Sequence, residues 1–300
     1  MRTKTYLFAL MAMALTLGSC SDNENGIGGE TSKYITVSTS IGNMTRVATD
    51  ANGGQTFEEG DEISVYAWTG APTVAPETSE RVVNNAINKL TNGSWVATPQ
   101  MLWKNNRDKH YFIGVYPVSA ISDLSAGEYT FDETKQVESD LLVAVNKDGL
   151  SYNVDEQQPV PLTFTHVMAK LAVNLTYKNQ WGGIPTVEKV VVGKAAKEAT
   201  INYLTKVVTP STTAKEDFSL PEITENTKYV SVIIPQEDVK QLTIVIGGKN
   251  FVYDNGTPFK LESGKITTVN LEVGRDEIKL GDVKITNWED GSTFSGEALN

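Results

Sequence analysis

The chain has 300 residues, is acidic and contains a single cysteine. Its 26 basic and 37 acidic residues give a formal net charge of -11, which disfavours nucleic acid and anionic lipid headgroups as partners. One cysteine and two histidines exclude an internal disulfide and leave too few ligands for a Cys/His metal site. Stability must therefore come from buried apolar surface, and the length suffices for two domains.

Residues 1–19 have the pattern of an export signal. Arg2 and Lys4 precede a largely apolar run that ends in small residues, and Cys20 follows directly. Such a segment is removed from the mature protein, and small residues before a cysteine resemble a lipobox, in which the cysteine is acylated. A plain secretory signal would leave a reactive exported thiol without a purpose. We predict that acyl chains on Cys20 anchor the protein to outer-membrane lipid, at about 0.8 kcal/mol per buried methylene.

Residues 20–32 are polar and glycine-rich, which predicts a flexible tether. The acidic start of this tether resembles the surface-export signal of Bacteroidetes lipoproteins. That resemblance implies a location at the cell surface, on the outer face of the outer membrane.

The rest of the chain has an all-β pattern. Short runs of β-branched and aromatic residues are separated by turn dipeptides such as Asn92-Gly93 and Asp148-Gly149, and we find no long amphipathic helix. The predicted strands are 34–41, 63–68, 111–116, 141–145, 162–177, 187–192, 199–203, 229–234, 242–246, 251–253, 266–273 and 278–285. This count and spacing indicate two β-sandwiches of similar size.

The polar, glycine-rich break at 178–185 places the two sandwiches at residues 33–178 and 179–300. A break at 155–159 is the alternative, and it would transfer residues 162–177 to the second domain. That central stretch is apolar at alternate positions, with a change of phase near Ala169 and Lys170, which predicts a long strand with a bulge. A helical stripe is the competing interpretation, but β-branched and aromatic residues favour a strand.

The central stretch also carries the motif F-x-H-x-x-A-K-L-x-V, which resembles the central motif of the fimbrillin family of Bacteroidales surface proteins. Further segments fit this family in the same order along the chain. The matching residues are Phe164, His166, Ala169, Lys170, Leu171 and Val173, then Thr45-Arg46 with Phe57 and Gly60-Asp61, Val232 to Gln236, and Ile285 with Trp288. The resemblance implies two tandem transthyretin-like Greek-key β-sandwich domains in a fimbrial subunit that is exported as a lipoprotein.

Arg46 is the only basic residue between Lys33 and Arg81, and it lies in a polar stretch typical of an exposed, protease-sensitive loop. The resemblance implies that an arginine-specific protease cuts after Arg46 and leaves Val47 as the new N-terminus. Composition alone would favour an ordinary solvated loop arginine. Cleavage would release both the lipid anchor and the first predicted strand.

In the first predicted strand, Ile35, Val37 and Ile41 share one face. Burial of an apolar side chain contributes about 1.5–3 kcal/mol, so these three amount to roughly 5–9 kcal/mol, comparable to the stability of a whole domain. Loss of the strand would leave a groove that a β-strand from another fimbrial subunit could fill. The candidate donor is the C-terminal strand with its alternating apolar residues, Ile278, Leu280, Val283, Ile285 and Trp288.

No pattern indicates an enzyme, a cofactor site or a metal site. We expect His110 and His166 to be structural strand residues. The acidic pairs Glu58-Glu59, Asp61-Glu62 and Glu289-Asp290 are typical of solvated loops, and the five tryptophans are more typical of packing than of sugar binding. The alternative function is a surface-anchored lipoprotein that binds a glycan or protein ligand of a host or bacterial surface and does not polymerise.

Overall fold

β-Strands make up most of the computed structural model, which describes residues 34–42, 56–153 and 158–288. In these ranges the one helical element is a single 3-10 turn, Thr78–Glu80, and none of the helical structure there is long and apolar enough to cross a membrane. The all-β prediction is confirmed. The described residues belong to one compact unit that spans residues 32–300.

Nineteen strands follow one another in the described ranges. Those up to the central stretch are β1 (Val37–Ile41), β2 (Glu62–Thr69), β3 (Val83–Thr91), β4 (Ser94–Thr98), β5 (His110–Tyr116), β6 (Gly127–Thr130), β7 (Leu142–Leu150), β8 (Val160–His166) and β9 (Ala169–Tyr177). The later strands are β10 (Val187–Ala196), β11 (Glu198–Asn202), β12 (Val207–Pro210), β13 (Lys215–Leu220), β14 (Glu222–Thr224), β15 (Lys228–Ile233), β16 (Gln236–Ile246), β17 (Lys249–Leu261), β18 (Lys265–Val273) and β19 (Ile278–Asn287).

The first half forms a seven-stranded sheet in the order β1-β8-β7-β5-β2-β3-β4. The predicted turn at Asn92-Gly93 joins β3 to β4, and both residues have positive φ, 51° and 73°. A two-residue hairpin turn of this type matches the right-handed twist of the strands, and glycine adopts it without steric cost. The sheet therefore ends in a tight hairpin at β4 and in the isolated strand β1 at its other edge.

The second half forms two larger sheets, β13-β10-β16-β17 and β14-β15-β9-β18-β19. A third, smaller sheet has the order β12-β11-β6, so the first half contributes β6 to the second. β17 continues through residues 254–256, because the extra residues there are absorbed by a shift in register between β16 and β17.

Two apolar cores lie on opposite faces of the seven-stranded sheet. Two consecutive residues of β2 show this division, since Val65 packs in one core and Tyr66 packs in the other. The core that contains Val65 belongs to the first half and includes Phe112 and Phe164. The core that contains Tyr66 continues through the second half of the chain as far as Trp288.

The central stretch is two strands rather than the predicted single strand with a bulge. β8 ends at His166 in the seven-stranded sheet, and β9 begins at Ala169 in the five-stranded sheet, where it pairs with β15 and β18. Val167 and Met168 between them are fully buried. The apolar phase changes here because the chain passes from one sheet to another. Neither boundary suggested by the sequence coincides with this change of sheet, and the division into two domains stays a prediction.

Candidate functional site

β1 is an edge strand of the seven-stranded sheet. It pairs in parallel with β8, from Val37 opposite Val160 to Ile41 opposite Phe164. Gly42 N–H donates to the Phe164 carbonyl at 2.7 Å, and Ile35 N–H donates to the Met101 carbonyl at 2.9 Å. Within the described ranges β8 is the only strand that pairs with β1. β1 itself is therefore held by one ladder, and the two residues Tyr34 and Ile35 ahead of it are held by a short antiparallel bridge to Met101 and Leu102.

The side chains of residues 34–41 alternate between solvent and the core. Ile35 and Val37 are 3% and 6% exposed and belong to the core of the first half, while Ile41 is half-buried against the same core. Tyr34, on the opposite face, is 63% exposed. The structure thus places all three predicted apolar residues of this first strand on one face, with two of them buried.

A groove of about 720 Å³ separates β1 from the hairpin β3–β4 at the opposite edge of the same sheet. A hydrogen bond between two side chains crosses this groove, in which Trp95 Nε1–H donates to Thr39 Oγ1 at 3.0 Å. Phe57 lines the groove and packs edge-on against Trp95 and Phe164, with centroid distances of 5.3 and 5.1 Å. The two edges approach each other around this groove without a continuous ladder of backbone hydrogen bonds.

The lipidation and processing residues lie outside the described ranges. These are Cys20, Arg46 and Val47. Arg81, by contrast, is buried, and its guanidinium donates to the Ile121 carbonyl at 2.7 Å and to Asn84 Oδ1 at 2.9 Å. Burial lowers the pKa of Arg81. An arginine enclosed in this way is inaccessible to a protease in the folded protein.

The candidate donor residues lie in and just after β19, an edge strand of the five-stranded sheet. β19 pairs antiparallel with β18 along its whole length. Ile278 and Leu280 pack partly against the core, whereas Val283 and Ile285 are 41% and 37% exposed. Trp288 immediately after the strand is 2% exposed. The strand is thus mostly on the surface and ends in a buried aromatic ring.

Trp288 is enclosed by two residues of the central motif. The His166 imidazole stacks on the indole with a centroid distance of 4.1 Å and an interplanar angle of 6°. The Lys170 ammonium lies 4.1 Å from the centroid of the same ring, within the range of a cation–π interaction. His166 Nδ1 in turn donates to Asp140 Oδ1 at 2.8 Å. The sequence motif does not reveal that its histidine and lysine contact the same distant tryptophan.

The remaining titratable residues serve the fold. His110 accepts the Lys104 N–H through Nε2 at 3.1 Å and donates through Nδ1 to the Asp108 carbonyl at 3.0 Å, and burial lowers its pKa. Asp61 Oδ2 accepts the Glu58 N–H at 2.7 Å, as expected of a turn. Burial, and next the Asp61 carboxylate, raise the pKa of Tyr116 to about 12. The described ranges contain no cluster of three or more potential metal ligands.

The sequence predicts that β1 and β19 are strands, but it does not predict the residues that line the groove. Trp95 and Thr39 were not singled out as partners, because they lie far apart in the chain and no local pattern links them. Phe57 was noted as part of the family resemblance, yet its position between β1 and β4 follows only from the sheet order. The groove is a product of tertiary structure.

These features define an all-β protein whose first described strand is a half-buried sheet edge and whose last described strand is followed by a buried tryptophan. The sequence model of the fimbrillin-like family matches residues 45–288. The chain belongs to the fimbrillin-like family. The match begins one residue before Arg46 and ends at Trp288, so β1 lies outside it.

Solved structures from related bacteria share the fold at low sequence identity. A candidate cell adhesion protein from Bacteroides uniformis has a TM-score of 0.63 and 18% identity, and the alignment covers 85% of this chain and 99% of that one. A fimbrial protein from Bacteroides vulgatus has a TM-score of 0.52 and 12% identity, covering 84% and 99%. The tip fimbrial protein Mfa3 from Porphyromonas gingivalis has a TM-score of 0.51 and 11% identity, covering 77% and 95%. A search of curated protein sequences gave no significant match.

Proposed function

We propose that this chain is a fimbrial subunit that is exported as a lipoprotein through Cys20, cut after Arg46 and assembled by β-strand exchange. The observation that carries the proposal is the position of β1, an edge strand held by one parallel ladder whose apolar face fills a slot in the core. Membership of the fimbrillin-like family supports a fimbrial role. The fold shared with fimbrial proteins agrees with it.

The position of Arg46 relative to β1 supports processing at this site. β1 ends at Ile41, so a cut after Arg46 falls a few residues beyond it and separates the whole strand from the rest of the protein. The remaining chain then starts at Val47, close to the beginning of the family match at Thr45. The rest of the fold stays connected because every strand from β2 onward lies downstream of the cut.

Departure of β1 supplies the driving force for assembly. It uncovers the core around Ile35 and Val37 and leaves the backbone of β8 without a partner on one side. An incoming β-strand restores the backbone hydrogen bonds and refills the slot with alternate side chains. The groove between β1 and β4 adjoins this slot, so an incoming strand has room to enter beside β8.

The test of processing is the N-terminus of the protein taken from cells, measured by mass spectrometry. We expect Val47 as the N-terminus in assembled fibres and loss of fibres in an Arg46→Ala variant. Arg107→Ala is a matched control, because Arg107 is exposed but lies within the folded unit and far from β1 in sequence. Fibres built from subunits that retain Cys20 and β1 would contradict the proposal.

The alternative, a glycan- or protein-binding lipoprotein, has less support. Stacking of sugars would require a contiguous exposed aromatic patch. Among the described residues Tyr34 is the one exposed aromatic side chain, while Trp68, Trp103 and Trp288 are buried. A ligand-binding subunit that keeps β1 seated and remains monomeric after export would instead favour this alternative.

A further inference from the structure

At the end of β19, Trp288 is the one side chain that is fully buried. β19 itself is largely exposed, and its partly buried apolar residues, Ile278 and Leu280, lie near its start. Trp288, directly after the strand, is 2% exposed. The far end of this surface strand is therefore attached to the protein interior chiefly through the indole.

The pocket around Trp288 is built by the passage between the two sheets. His166 is the last residue of β8, and Lys170 is the second residue of β9. Because the chain changes sheet at Val167 and Met168, both side chains reach the same indole. Lys170 is itself 2% exposed. The spacing H-x-x-x-K in the motif therefore has a physical explanation: the histidine and the lysine form two walls of the pocket that holds Trp288.

Backbone hydrogen bonds close the pocket. Trp288 N–H donates to the Gly264 carbonyl at 3.0 Å, and Gly264 N–H donates to the Met168 carbonyl at 2.8 Å. Gly264 has φ of 68°, and a Cβ at this position would lie 3.1 Å from the His166 carbonyl oxygen. The turn before β18, the passage from β8 to β9, and Trp288 thus form one connected unit.

We propose that Trp288 is an anchor that keeps β19 in its own subunit, so that β19 is not the strand passed to a neighbouring subunit. The inference rests on the proposed function, and it excludes β19 as the donor strand. A departing β19 would break its ladder with β18 and also empty a pocket walled by an imidazole and an ammonium group. An ordinary apolar strand residue cannot refill such a pocket. The family match includes β19 and ends at Trp288.

Two reversible disulfide locks in the full chain test the inference. The first lock combines Thr268→Cys with Lys284→Cys, which face each other across β18 and β19, and it holds β19 in place. The second combines Ser40→Cys with Thr163→Cys, whose hydroxyl oxygens lie 3.1 Å apart, and it holds β1 in place. Fibres are counted by electron microscopy and by sedimentation, in the oxidised state and after reduction of the same sample.

We expect normal fibres from the β19 lock and at least a tenfold loss of fibres from the β1 lock, with recovery of the latter on reduction. If the oxidised β19 lock also abolishes fibres and reduction restores them, β19 is exchanged and the inference is wrong, while strand exchange itself still stands. If neither lock changes the fibre yield, the proposed strand exchange fails, and this inference fails with it. Reduction of the same sample separates a trapped strand from a misfolded variant.

Discussion

The two edge strands at the ends of the described chain, β1 and β19, are attached through the same central segment. β1 pairs directly with β8, whereas β19 pairs with β18, which pairs in parallel with β9. Both strands leave one backbone edge without a strand partner in the described ranges. Their backbone hydrogen bonding therefore does not distinguish the two strands, since each is held by a ladder on one side.

Their side chains separate them. The first strand contributes two aliphatic side chains to the core, Val37 within β1 and Ile35 just before it. Any strand with alternating apolar residues could supply side chains of this kind. β19 contributes little from the strand itself but ends in Trp288, whose pocket is shaped by His166 and Lys170. An edge strand is therefore replaceable when its slot is generic and fixed when its pocket demands one particular side chain.

The largest expected effect is that of removing β1. Deletion of residues 34–42 removes two buried aliphatic side chains, which should lower the free energy of unfolding by roughly 3–6 kcal/mol. Urea unfolding measures the loss, and a synthetic peptide of residues 34–42 should restore most of it. A peptide with Ile35→Asp and Val37→Asp is the matched control and should not. An unchanged unfolding midpoint after deletion would show that the strand does not fill a slot.

Truncation of the aromatic anchor should have the next largest effect. Trp288→Ala removes a buried ring and should cost about 3–5 kcal/mol. Hydrogen exchange measured by mass spectrometry should show faster exchange in β19 and unchanged exchange in β1. Trp288→Phe keeps an aromatic ring against His166 and should lie between the wild type and the alanine variant. Equal acceleration in both strands would mean that they are not independently attached.

Local patterns predicted the strands of this comparison but not their partners. Alternation between residues 34 and 41 indicated a half-buried strand, and Asn92-Gly93 indicated a hairpin turn. β3, before that turn, was missed because Asn84, Asn85 and Asn88 have low β-propensity. The parallel pairing of β1 with β8 depends on residues more than 100 positions apart, and no period along the chain encodes it.

The Trp288 pocket likewise could not be predicted from the sequence. His166, Lys170 and Trp288 were all noted from the family resemblance, yet neither their types nor their spacing predicts mutual contact. A phase change near Ala169 was interpreted as a bulge, since a bulge and a change of sheet both move side chains to the other face. Only the paired strands on either side distinguish the two, and it is the change of sheet that creates the tryptophan pocket.

Loss of the bridge across the groove should have a smaller effect that is confined to β1. Thr39→Val keeps the shape of the side chain but removes the acceptor of the Trp95 Nε1–H bond. A hydrogen bond of this kind contributes about 0.5–1.5 kcal/mol. Exchange of β1 amides should accelerate, while β19 stays unchanged, and Thr36→Val on the exposed face is the matched control. No change in β1 exchange would show that the ladder with β8 alone holds the strand.

The smallest expected effect concerns the start of β19, where Lys178 donates a hydrogen bond to Glu277. This hydrogen bond lowers the pKa of Glu277. Its contribution to the stability of the folded state is therefore complete above the ordinary pKa of a glutamate, and it is lost as the pH falls through the lowered pKa of Glu277. The Glu277 carboxylate is exposed, so solvent screens the ion pair. Glu277→Gln should therefore accelerate β19 exchange slightly at neutral pH, less than Thr39→Val accelerates β1, with no difference from the wild type in strong acid. The proposed anchor of β19 is Trp288 and not this ion pair. If Glu277→Gln accelerated the exchange of β19 amides as much as Trp288→Ala does, the strand would be held at its start and not at its end.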